Sequence, residues 1–169
     1  MSIKNNNVAE YGREKGFSLF ELLIALFVLA IGLIGYASLQ GVGLKSNANA
    51  SYSTEATFLA MDMADRIMAN PSGALANSYL TNTKTNDYNN PGCSLGCSAA
   101  QRPARDQHEW EGELSDRLPL GEGMVTDEGG GVFMITVMWD DQRTGAIGTG
   151  CGGNKAVDLT CFQVLVRPR

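Results

Sequence analysis

The chain has 169 residues, with 13 Lys and Arg against 18 Asp and Glu, a formal charge of −5 at neutral pH. That length suits about one domain, and an acidic balance with no basic patch gives no electrostatic footprint for nucleic-acid binding. Four cysteines and one histidine leave few positions for thiol or imidazole chemistry.

Residues 1–16 are polar and carry Lys4, Arg13 and Lys15 against Glu10 and Glu14. The next 23 residues, 17–39, contain one charge, Glu21. A bilayer core of ~30 Å needs about 20 apolar residues as helix, so this run is long enough to cross. A charge inside such a span costs ~2.5–3.5 kcal/mol at its centre and less near an end. Glu21 therefore needs a purpose. A secretory signal would be shorter and followed by a small-residue cleavage site, and none follows Leu39. Cations before the span and none until Lys45 orient the N-terminus to the cytoplasm, placing later residues outside.

The string Gly16-Phe17-Ser18-Leu19-Phe20-Glu21-Leu22-Leu23-Ile24-Ala25 resembles the class III signal of type IV prepilins. The resemblance implies a dedicated peptidase that cuts between Gly16 and Phe17, followed by methylation of the new Phe17 amine. Residues 1–16 are then a cleaved leader, and the remaining 153 residues carry −6. It also implies a role for Glu21. An ammonium and a carboxylate buried in an apolar fibre each carry a desolvation cost of several kcal/mol. Pairing Phe17 of one subunit with Glu21 of a neighbour relieves much of it and fixes axial register.

Residues 17–40 read as the membrane-spanning or filament-core half of a helix, and residues 41–70 as its amphipathic half. Tyr52, Ala56, Leu59, Met63 and Ile67 recur on one helical stripe. Asn70-Pro71 ends it, because a residue before proline is driven from the α region. Gly32, Gly35, Gly41 and Gly43 each cost ~1 kcal/mol against alanine. They permit close helix packing or mark a segment that melts on assembly, and weak helix formers at 46–51 leave continuity open there.

Residues 71–105 read as a polar surface connector with a turn at Asn89-Asn90-Pro91-Gly92. Residues 106–169 are expected to form the head: a short helix over 106–118, then strands over 123–126, 132–139 and 159–167, with a turn at 127–131. Three strands alone are marginal. Packed on the Tyr52–Ile67 stripe they share a core, which gives an α+β fold with a long helix on a small antiparallel sheet. Sequence alone leaves three pairings of Cys93, Cys97, Cys151 and Cys161 open, with Cys93–Cys97 and Cys151–Cys161 the nearest-neighbour choice. Zinc fits their spacing poorly. Asp140, Asp141 and Asp158 could gather on Ca²⁺, but solvated loop acids are the simpler reading, as is a solvated His108.

Ala30-Ile31-Gly32-Leu33-Ile34-Gly35, Ser38-Leu39-Gln40, Ile135-Thr136-Val137-Met138-Trp139-Asp140-Asp141 and Cys161-Phe162-Gln163-Val164-Leu165-Val166-Arg167-Pro168 together look like the PilV family of type IV pilus modification proteins. That resemblance implies a pilin-like fold and a minor pilin. Such a subunit sits in the inner membrane with its head in the periplasm, then joins the pilus near the tip. Its implied partners are other minor pilins, the major pilin, the prepilin peptidase and a tip adhesin. The alternatives are a pseudopilin of a type II secretion system and a pilus-associated adhesive subunit. No nucleophile elbow or phosphate loop occurs, so neither enzyme activity nor a cofactor is expected.

Overall fold

The structure is a computed structural model and describes residues 16–81, 90–93, 96–154 and 156–168. The element order is α1 (Leu19–Ala69), α2 (Pro71–Leu75), α3 (Arg102–Arg117), β1 (Glu122–Gly129), β2 (Val132–Trp139) and β3 (Thr160–Val166). The chain divides into two units, Met1–Leu44 and Lys45–Arg169. The α+β architecture expected from the sequence is observed: a long helix packs on a three-stranded antiparallel sheet.

In the first unit, the described residues after Ser18 are helical and all are solvent-exposed. Helix α1 starts two residues later than the sequence suggests. Ser18 caps it: its Oγ accepts from the Phe20 N–H at 3.3 Å, and its carbonyl accepts from the Glu21 and Leu22 N–H groups. A serine hydroxyl satisfies an orphan amide of the first turn in this way, and Glu21 three residues on completes the sequence pattern of a capping box.

Helix α1 continues unbroken through Gly32, Gly35, Gly41 and Gly43 and through the weak formers at 46–51. Just beyond those, Ser53, Thr54 and Thr57 return their hydroxyls to the carbonyls of Asn49, Ala50 and Ser53 at 2.8–3.0 Å. Such back-bonding satisfies the hydroxyls without leaving the helix. At the far end Asn70 leaves the α region at φ −131°, ψ 68°, and its side chain accepts from Gly73 N to open α2. Proline at the first position of α2 is tolerated because its missing N–H would be unpaired there anyway.

The second unit is built around the stripe Ala56, Leu59, Ala60, Met63, Ala64 and Ile67 of α1, all buried. The sheet lays Val125, Phe133, Ile135, Val137, Trp139 and Val166 against it, and α3 adds Trp110 and Leu114. Each such aliphatic or aromatic side chain contributes ~1.5–3 kcal/mol when fully buried. Strand order is β1-β2-β3. Register runs Val125↔Ile135 between β1 and β2, and Ile135↔Val164 between β2 and β3. The β1–β2 hairpin turns on Gly130 and Gly131 alone, with φ +64° and +74°. That pair of left-handed residues is the two-residue turn whose twist matches antiparallel strands. β1 therefore reaches Gly129, beyond the 123–126 expected, with a register shift between Asp127 and Gly129.

The connector differs from a plain surface loop. It holds α2, and Ala74 and Tyr79 are fully buried in the core. Thr81 bridges the free edge of β1: its N–H donates to the Val125 carbonyl at 2.9 Å, and its Oγ1 accepts from the Val125 N–H at 2.6 Å. Helix α3 begins at Arg102, before the 106 expected, with Pro103 buried in its first turn. The turn signal at 89–92 lies partly outside the described residues.

Both faces of the sheet carry apolar packing. The face away from α1 holds a second, smaller cluster: Met138, Ala146 and Leu159 with Met124 and Cys161. It is covered by the loop between β2 and β3, which folds back through Ile147 and Gly148 N–H bonds to the Val157 carbonyl and a Leu159 N–H bond to Gly148. The Cys151–Cys161 disulfide, with Cα atoms 4.9 Å apart, clamps this loop to β3. Cys93 and Cys97 are also bonded, with Cα atoms 5.1 Å apart.

Candidate functional site

The N-terminal junction is the first candidate. Gly16 and Phe17 are exposed and precede the helix, and Glu21 lies in the first turn of α1. The leader through Lys15 lies outside the described residues. Glu21 is exposed and makes no ion pair or hydrogen bond through its side chain among the described residues. Its carboxylate near a helix N-terminus is favoured by the helix dipole. From this first turn to Leu44 the chain presents apolar side chains all round, and α1 is long and apolar enough to cross a membrane.

A second feature lies in the Lys45–Arg169 unit. Helix α1 turns a core stripe inward, and on its other side Phe58, Met61 and Met68 are 66%, 48% and 47% exposed. They follow one another at spacings of 3 and 7, so they share one helix face, with Asp65 exposed between them. This face was not anticipated from the sequence. The signal was present, since a second apolar phase ran opposite Tyr52, Ala56, Leu59, Met63 and Ile67, but the inward stripe absorbed the pattern.

The α1–α3 contact is held by polar groups as well as by the core. Arg66 lies 2.7 Å from Asp62, 3.0 Å from Glu109, 3.6 Å from Glu113 and 3.7 Å from Asp106. Tyr79 donates to Asp106 at 2.7 Å, and Asn70 donates to the Tyr79 hydroxyl and the Ala99 carbonyl. Burial, reinforced by the Asp106 carboxylate, raises the Tyr79 phenol above its ordinary range, so it stays a donor. These are scaffold contacts, and they fix α3 against the helix.

The remaining sequence candidates are dispersed. Asp140 is buried rather than a solvated loop acid. Its Oδ2 accepts from Gly145 N at 2.7 Å and its Oδ1 from Thr144 Oγ1 at 3.4 Å. Burial pushes its pKa up, but the backbone N–H groups of Gly145 and Thr144, the Thr144 hydroxyl and the Gln142 N–H outweigh that and lower it. Asp158 accepts from the N–H groups of Gly150 and Asn154, so it closes a glycine-rich loop. Asp141 is half-buried and His108 exposed. Among the described residues, no three His, Cys, Asp or Glu side chains gather in a way that could hold a metal ion.

The model of the prokaryotic N-terminal methylation motif matches residues 11–37. This supports a type IV pilin-like protein. The matched segment covers the leader end, Gly16, Phe17, Glu21 and the start of the apolar helix, and it stops short of the Lys45–Arg169 unit. A pilin-like chain with this signal is a substrate for prepilin peptidase and an anchored subunit with a single span, which is the part played by the exposed apolar half of α1. No curated protein and no solved structure matches the chain. The apolar stem, the exposed Glu21 and the helix-on-sheet head fit a structural subunit of a pilus or of a pseudopilus.

Proposed function

We propose that this chain is a minor pilin of the PilV type. It co-assembles with other minor pilins, primes growth of a type IV pilus and presents a tip adhesin. The observation that carries the reading is the exposed Glu21 in the first helical turn, four residues from the Phe17 amine that processing frees. Phe17 and Glu21 are both exposed at the start of α1. Neighbouring subunits staggered along a fibre can pair them, and the pairing relieves the desolvation cost of both.

The Phe58–Met61–Met68 face supports assembly beyond anchoring. That face lies on the unit that begins at Lys45, past the apolar stem that a membrane would cover. Contacts with neighbouring pilins can cover it. Lys15 and Arg13 before the span support a cytoplasmic leader and a periplasmic head. The cleaved chain then leaves the inner membrane for a position near the pilus tip.

Exchange of Glu21 for alanine tests this directly. The variant is expected to insert in the membrane and to be processed, yet to be depleted from sheared pili. Normal recovery of the variant in pili contradicts the pairing. Deletion of the gene is expected to abolish surface pili. Normal piliation with loss of adherence would instead mark an adhesive subunit, and normal piliation with blocked protein secretion would mark a pseudopilin.

A further inference from the structure

Lys45 is the first charged residue after Glu21 and directly follows the apolar half of α1. Residues 19–44 as helix measure roughly 39 Å at ~1.5 Å per residue. A bilayer with its headgroups measures ~40–45 Å. A span of this length brings Lys45 to the headgroup layer.

Lys45 does not stand alone there. It lines an open cavity of about 340 Å³ together with Asn49, Tyr52, Asp141, Gln142 and Arg143. Arg143 comes from the loop after β2. Its Nη2 donates to the Tyr52 hydroxyl at 2.9 Å, and its backbone is left-handed at φ +54°. A non-glycine residue in that region is uncommon, so the loop holds Arg143 in a defined place beside the helix. Neither Lys45 nor Arg143 has an ion-pair partner among the described residues. Asp140, the nearby buried acid, is occupied by Gly145 and Thr144. Asp141 lines the same wall and Asp140 acts on Arg143 through its charge, but among the described residues neither carboxylate makes a direct ion pair with Lys45 or Arg143.

We infer that Lys45 and Arg143 together hold the phosphate of an anionic lipid in the leaflet from which the helix emerges. Arg supplies a planar fork and Lys a mobile ammonium, both suited to phosphate oxygens. Tyr52 sits where aromatic residues favour the membrane–water boundary. The contact seats the head against the bilayer, and a subunit leaving for a fibre must break it. The inference rests on residues 17–44 spanning a bilayer.

The mature full-length chain is reconstituted in nanodiscs of phosphatidylcholine alone or of phosphatidylcholine with phosphatidylglycerol. Amide hydrogen exchange is then read over residues 45–52 and 140–147. Exchange there is expected to slow severalfold with the anionic lipid. Lys45→Gln and Arg143→Gln are each expected to weaken the effect by about fivefold. Lys45 is exposed on the helix, so its exchange leaves the core untouched even if the Arg143 variant disturbs its loop. Equal exchange in both lipids from an inserted chain overturns the inference. So does slowing that appears only when a second pilin subunit is added, which would make a protein carboxylate the partner. A chain that fails to insert in either lipid removes the span itself, an outcome distinct from insertion without lipid dependence.

Discussion

Trp110 Nε1 donates to the carbonyl of Leu59 across 2.8 Å, a bond between α3 and the interior of α1 made 51 residues apart in sequence. The indole is 1% exposed, and the carbonyl already belongs to a helix. A carbonyl has two lone pairs, so α1 loses nothing by accepting it. The bond fixes the depth at which α3 sits on the helix and gives a fully buried indole a satisfied polar atom.

Gly123 in β1 makes room for that indole, because a Cβ there would meet the Trp110 ring and Leu114. Gly123→Ala is therefore expected to destabilise the head by ~1–3 kcal/mol, the usual range for overpacking. Trp110→Ala is expected to cost ~3–5 kcal/mol. Denaturant melts of the two variants and of the double variant check this. In the double variant most of the Gly123 penalty should vanish, since only the contact with the flexible Leu114 side chain is left.

Asp140 gives a pH dependence with a definite sign. Its folded pKa lies below the ordinary 3.8 because the Gly145, Thr144 and Gln142 donors outweigh its burial. Its stabilising contribution is complete above 3.8 and is lost as pH falls through the lower folded value. Asp140→Asn is expected to cost ~1–2 kcal/mol at neutral pH, and the gap from the parent should close on acidification below 3.8. A gap that grew with acid would reverse the assignment.

The two disulfides should differ in weight. Cys151–Cys161 closes a span of 10 positions and Cys93–Cys97 a span of 4. Chain entropy assigns them about 3 and about 2 kcal/mol. Paired serine variants melted under identical conditions test the order. Loss of Cys151–Cys161 should also speed hydrogen exchange at Leu159 and Gly148, whose backbone bond closes the clamped loop.

Phe58 and Met61 separate assembly from folding. Both are exposed on α1, away from the core stripe. Phe58→Ser with Met61→Ser is expected to leave the unfolding free energy within ~0.5 kcal/mol of the parent. The same variant is expected to be depleted from pili. Unchanged incorporation would show that this face has no neighbour.

Much of the fold was legible in local pattern. The apolar run with Glu21 near its start, the stripe through Tyr52 and Ile67, and the β-branched run of β2 each carry their own period. The outward face of Phe58, Met61 and Met68 was hidden because two apolar phases overlap on one helix, and a search for one stripe stops at the stronger. Tyr79 was hidden because it is a single large residue inside a polar connector, and its burial depends on Asp106, Asn70 and α2 arriving from elsewhere. Asp140 looked like an ordinary loop acid, because nothing in Asp-Asp-Gln-Arg says that Gly145 will return its N–H to the first carboxylate. Long-range closure of this kind leaves no trace in spacing.

The most direct test is the mass of the N-terminal peptide from protein recovered in the membrane and in sheared pili. The account predicts a chain that begins at Phe17 and carries one methyl group on its amine. An intact Met1 leader in the assembled material, or a start within or after the apolar run, would contradict it.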